Sequence, residues 1–76
     1  MKIEILGTGC PKCKKLYESA KEAVAKSGIQ AEVFKVEDIM KITEYGVMMT
    51  PALVIDGIVK SAGKVLSPEQ IQAFLN

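Results

Sequence analysis

Apolar and polar residues fall in short blocks along this chain, and their period changes from block to block. Lys2 to Leu6 alternates and is partly β-branched, which predicts a strand ending at Gly7-Thr8-Gly9. Pro11 suits a first helical position, where its missing N–H would have no partner in any case. From Cys13 to Ser27 the residues are good helix formers, with Leu16, Ala20, Ala23 and Val24 on one face. Glu22 and Lys26 have the spacing of an outward ion pair, and Gly28 supplies a stop. Gln30 to Val36 alternates again, with Ala31, Val33 and Lys35 facing one way and Phe34 and Val36 the other. Because a helix intervenes, this second strand is expected to lie parallel to the first.

Glu37-Asp38 opens a short helix with acidic residues at its positive end. Ile39 and Ile42 are expected on its inner side, and Gly46 ends it. Two strand-like runs, Ala52–Ile55 and Ile58–Lys60, flank Asp56-Gly57, a strong signal for a two-residue hairpin turn. Ser67-Pro68-Glu69-Gln70 is a capping-box pattern with Pro at the first helical position, followed by an apolar stripe of Ile71, Phe74 and Leu75. The predicted order is β-α-β-α-β-β-α, an α/β fold.

Composition narrows the chemistry. A chain of 76 residues is read as one domain, residues 1–76, near the size where one hydrophobic core just suffices. Its 49% hydrophobic and 25% charged residues fit a soluble globular domain. A net charge of +1, with Lys as every basic residue, argues against nucleic acid or an anionic membrane as partner. Histidine is absent, which removes Cys-His nucleophile pairs, imidazole proton shuttles and imidazole metal ligands. The run Ala52–Ile55 is far too short to span a bilayer, and the first residues lack a signal-peptide core. These features lead us to expect a cytoplasmic protein.

Both cysteines stand in one motif, Cys10-Pro11-Lys12-Cys13, where a strand hands over to a helix. In a reducing compartment so close a pair is more often catalytic or metal-binding than structural. A bridge across so short a loop would also stabilise little. Cys10 is expected at the helix N-cap, where unpaired N–H groups and the helix dipole favour a thiolate. Lys12, Lys14 and Lys15 add positive charge, although they also read as an ordinary solvated helix face. The geometry assigns Cys10 as the nucleophile toward a partner disulfide and Cys13, buried by the turn, as the resolving thiol. No cofactor is needed for that exchange.

A Cys-x-x-Cys at the first strand-to-helix turn, Thr50-Pro51 before a hairpin and a terminal helix together resemble the small thioredoxin-like redox-active disulfide proteins. The stretch Gly7-Thr8-Gly9-Cys10-Pro11-Lys12-Cys13, followed by Leu16, carries that resemblance most specifically. It implies a thioredoxin-like fold with a four-stranded mixed sheet flanked by helices. It also implies thiol-disulfide oxidoreductase activity on disulfide-containing proteins, with a separate reductase resetting a monomeric carrier. Pro11 and Lys12 would support the active site, and Thr50-Pro51 would be cis and pack against the dithiol. Val47-Met48-Met49 precedes Thr50 and, with Gly63, would rim the site as substrate-docking candidates, although Met in a short apolar run is more often core filling.

Departures from relatives are equally specific. Gly9 stands where thioredoxins carry Trp, and Pro11-Lys12 where they carry Gly-Pro. Pro first between the cysteines is similar to glutaredoxins, but Ser61-Ala62-Gly63-Lys64 lacks the acid of their glutathione-gripping stretch. Glu4 lies where thioredoxins have a buried, proton-relaying Asp, yet strand alternation also allows it a solvent face, which is the reading adopted here. Tyr17 is read as packing beside the active-site helix.

The rival function is a Cu(I) carrier using the same two thiolates. Such domains run β-α-β-β-α-β and end on a strand, whereas this chain ends on a capped helical pattern.

Overall fold

The computed structural model describes residues 1–75. In chain order these form β1 (Lys2–Leu6), α1 (Pro11–Ser27), β2 (Glu32–Val36), α2 (Ile39–Glu44), β3 (Ala52–Ile55), β4 (Ile58–Ala62) and α3 (Pro68–Leu75). The sheet order is β2-β1-β3-β4, with β1 parallel to β2 and antiparallel to β3. The predicted β-α-β-α-β-β-α order and four-stranded mixed sheet are both present.

Alternation along β1 divides the interior in two. Ile3 and Ile5 point to the face covered by α1 and α3, where they join Leu16, Ala20, Ala23, Leu53, Ile71 and Leu75. Leu6 belongs to the other face, with Ala52, Val54 and Ile42 from α2. Each fully buried aliphatic side chain contributes about 1.5–3 kcal/mol. That matters most for α3, whose eight residues could not hold a helix alone. Its buried Ile71 and Leu75 dock it onto α1, and a reciprocal capping box closes its start: Gln70 N–H donates to Ser67 Oγ at 3.2 Å, and Ser67 N–H to Gln70 Oε1 at 2.9 Å.

Local signals act where expected. The β3–β4 hairpin turns on Asp56 (φ 50°) and Gly57 (φ 83°), the paired positive angles of a type I′ turn. The Asp56 carboxylate also accepts the Lys2 N–H at 2.8 Å, tying the hairpin to the start of β1. Asp38 caps α2 by accepting the Met40 N–H at 2.9 Å.

Two expected core positions are corrected. Ile39 is 66% exposed: it stands directly after the Asp38 N-cap at the start of α2, and Ile42 is the residue that this helix buries against the sheet. Phe74 is 40% exposed, at the margin of the α3 stripe, which is filled by Ile71 and Leu75.

Candidate active site

β1 ends at Leu6, and the loop Gly7-Thr8-Gly9 delivers the chain to α1. Gly9 takes φ 85°, a left-handed angle that turns the backbone toward the helix start. Cys10 is the N-cap, extended at φ −70° and ψ 164°, and Pro11 stands at the first helical position. The Cys10 sulfur accepts the Cys13 backbone N–H at 3.3 Å, taking over one of the unpaired donors of the first turn. Both cysteines are free thiols, Cys10 half-buried and Cys13 buried.

The two thiols are therefore unlike. Hydrogen bonding from the Cys13 side chain, then from the Cys13 and Lys12 backbone, holds the Cys10 thiol below its ordinary range. Burial, and then the hydrogen bond to Cys10, pushes the Cys13 thiol up. Lys12, Lys14 and Lys15 are all exposed, so their charges act through screening solvent.

The wall beside Cys13 is built from small and rigid pieces. Gly7 has no Cβ because the Cys13 sulfur occupies that space, with the Pro51 Cα 3.9 Å from the same point. Thr50-Pro51 is a cis peptide bond, and Pro51 is fully buried. The Pro51 carbonyl accepts the Gly63 N–H at 2.9 Å, bringing the end of β4 alongside. A Cβ on Gly63 would lie 3.1 Å from Met49 Cβ, so Met49 packs directly on that glycine. Met48 is 97% and Met49 64% exposed, which corrects the core-filling alternative for both. Thr50 is exposed between them and Pro51.

Glu4 overturns the solvent-facing expectation: it is 8% exposed, and the Tyr45 hydroxyl donates to its Oε1 at 2.6 Å. That bond pushes the Tyr45 hydroxyl above its ordinary range. Its strand position opposes Ile5, so Glu4 faces α2, whereas Ile5 lines the cleft beside Cys13. Tyr17 is partly buried on the core beside α1, with the ammonium groups of Lys35 and Lys21 over its ring at 4.6 and 5.4 Å.

Three contributors escaped sequence reasoning. Gly7 accommodates the Cys13 sulfur, and only the Gly-x-Gly ahead of the first Cys hinted at close backbone approach. Lys35 and Glu37 border the cleft from the end of β2, an arrangement that needs the parallel register Ile5↔Lys35 to be known. Among the described residues, no three or more His, Cys, Asp or Glu side chains are grouped to hold a metal ion, and no helix is long and apolar enough to cross a membrane.

Comparison with known proteins gives a consistent result. A family model described as a thioredoxin domain matches residues 1–76. The chain is similar to a thioredoxin of Methanocaldococcus jannaschii, 46% identical over 73 residues, covering 96% of this chain and 84% of that protein. It is similar to a thioredoxin of Methanothermobacter thermautotrophicus, 43% identical over 76 residues and covering 100% and 99%. A probable thioredoxin of the same organism is 34% identical over 68 residues, covering 86% and 80%.

Proposed function

Because this chain belongs to the thioredoxin family, we propose that it is a thiol-disulfide oxidoreductase reducing protein disulfides through Cys10 and Cys13. The observation that carries the reading is the asymmetry of the two thiols: a half-buried N-cap sulfur with a lowered pKa, backed by a buried one with a raised pKa.

Cys10, as thiolate, attacks one sulfur of the partner disulfide, and the other sulfur leaves with the electron pair. The product is a mixed disulfide. Cys13 then loses its proton and attacks the Cys10 sulfur, releasing the reduced partner and leaving Cys10–Cys13 oxidised. A separate reductase supplies two electrons to reset the pair. Pro11 starts the helix that presents Cys10, and the Lys12 N–H helps hold the thiolate. Thr50-Pro51, Met48, Met49 and Gly63 form the docking rim, where exposed thioether side chains adapt to varied partners. The unit of function is one domain, residues 1–76, acting as a monomer in the cytoplasm, with neither nucleic acid nor membrane as partner.

The roles are tested by substitution. Cys13→Ser accumulates mixed disulfides with partner proteins through Cys10, whereas Cys10→Ser is inactive in disulfide reduction. Equal residual activity in the two variants contradicts the assignment. Failure of the wild type to oxidise reversibly, with tight Cu(I) retention, would favour metal carriage instead.

A further inference from the structure

The resolving step needs a proton acceptor. Cys13 is 5% exposed with its sulfur packed on Gly7, so solvent has little direct access to its proton. One cleft, of about 230 Å³, reaches it. At roughly 30 Å³ per water in the liquid, that space holds several.

The ionisable groups around the cleft are few. From α1 come Cys13 and Lys14; from the end of β2 come Lys35 and, one residue beyond Val36, Glu37. The strands β3 and β4 contribute no titratable side chain to its lining. Ammonium groups cannot accept a proton, and Lys35 is held over the Tyr17 ring. Glu37 is the carboxylate of the set. Its Oε2 lies 3.1 Å from where a Cβ on Gly9 would stand, so it rests on the same Gly7–Gly9 loop that carries the Cys13 sulfur. Glu4 lies on the other sheet face, engaged by Tyr45.

We propose that Glu37 accepts the Cys13 proton during resolution, through water in the cleft that both residues line. The inference rests on the thiol-exchange reading above. The Cys13 S–H proton passes through water to the Glu37 carboxylate, and the sulfur electron pair forms the Cys13–Cys10 bond. The bond between Cys10 and the partner breaks, and its electron pair leaves on the partner sulfur as a thiolate. Glu37 then returns its proton to solvent or to that thiolate.

The test is a two-phase experiment with an aromatic disulfide whose released thiolate is coloured. Attack by Cys10 releases the first thiolate, and resolution by Cys13 releases the second. Positioned proton transfer contributes about 10²–10⁴-fold in rate, and transfer through water sits at the low end or below it. Glu37→Gln therefore slows the second phase about tenfold or more at neutral pH and moves its pH midpoint upward. The first phase keeps its rate and midpoint, and Glu37→Asp restores part of the second. Glu37 is exposed, so these variants are expected to fold. An unchanged second phase in Glu37→Gln overturns the inference, as does a parallel shift of both phases or a shift in Glu4→Gln instead. A wild type that releases no second thiolate overturns the exchange reading itself, a result distinct from the others.

Discussion

Replacing Gly7 by Ala is the sharpest test of how the dithiol is seated. The added methyl would coincide with the Cys13 sulfur, and would also meet Cys13 Cβ at 3.3 Å and Pro51 Cα at 3.9 Å. Gly7 is not among the positive-φ residues, so the penalty is steric and not a matter of backbone conformation. Neither neighbour yields easily: Pro51 is fully buried, and Cys13 is fixed in the first turn of α1 by helix geometry. Overpacking of this kind costs about 1–3 kcal/mol. With a urea m-value of about 1 kcal/mol/M for a small chain, the midpoint of the reduced protein falls by about 1–3 M. The decisive measurement is a double-mutant cycle. In a Cys13→Ala background the overlapping sulfur is gone, so Gly7→Ala should lose most of its cost, leaving a coupling of at least about 1 kcal/mol. If Gly7→Ala destabilises both backgrounds equally, Cys13 is not the atom it meets and the packing argument fails.

Two further outcomes follow from the electrostatics. Free cysteine ionises near pH 8.5, so a lowered Cys10 pKa and a raised Cys13 pKa place the Cys10 thiolate at the lower pH. Iodoacetamide at pH near 7 should therefore label Cys10 well ahead of Cys13 in the reduced protein, as read by peptide mass mapping; equal labelling contradicts the asymmetry. Tyr45→Phe leaves the buried Glu4 carboxylate without its donor and should cost about 1–3 kcal/mol in urea unfolding. Glu4→Gln, whose amide oxygen can still accept the bond, should cost less, and an unchanged midpoint in Tyr45→Phe would show that the bond contributes nothing.

Much of the frame was legible in the sequence because each signal is local. The Asp56-Gly57 turn, the Ser67–Gln70 capping box and the period of α1 need only neighbouring residues to act, and each does. The Cys10 N-cap was legible for the same reason, since a Pro one residue later marks the helix start. What escaped depends on contacts distant in sequence. Alternation in β1 separates Glu4 from Ile5 but cannot say whether a helix covers the Glu4 side; Tyr45, 41 residues away, decides that. Ile39 reads as inner from its spacing to Ile42, yet only Ile42 of α2 is buried, and how the helix docks on the sheet is not written in its own period. Gly7 and Glu37 take their meaning from how α1 and β2 sit against the β1 loop, which no local pattern encodes.

The pairing of β1 with β3 joins residues about fifty positions apart, and it sets an order of events while the chain is being made. The dithiol leaves the ribosome first, but Pro51 and the Gly63 that braces it come later. At roughly 5–20 residues per second, several seconds separate the two. For that interval Cys10 and Cys13 are a bare pair of thiols with no wall beside them. Until the hairpin closes onto β1, the nascent chain carries its two thiols without the packing that buries Cys13 in the folded domain.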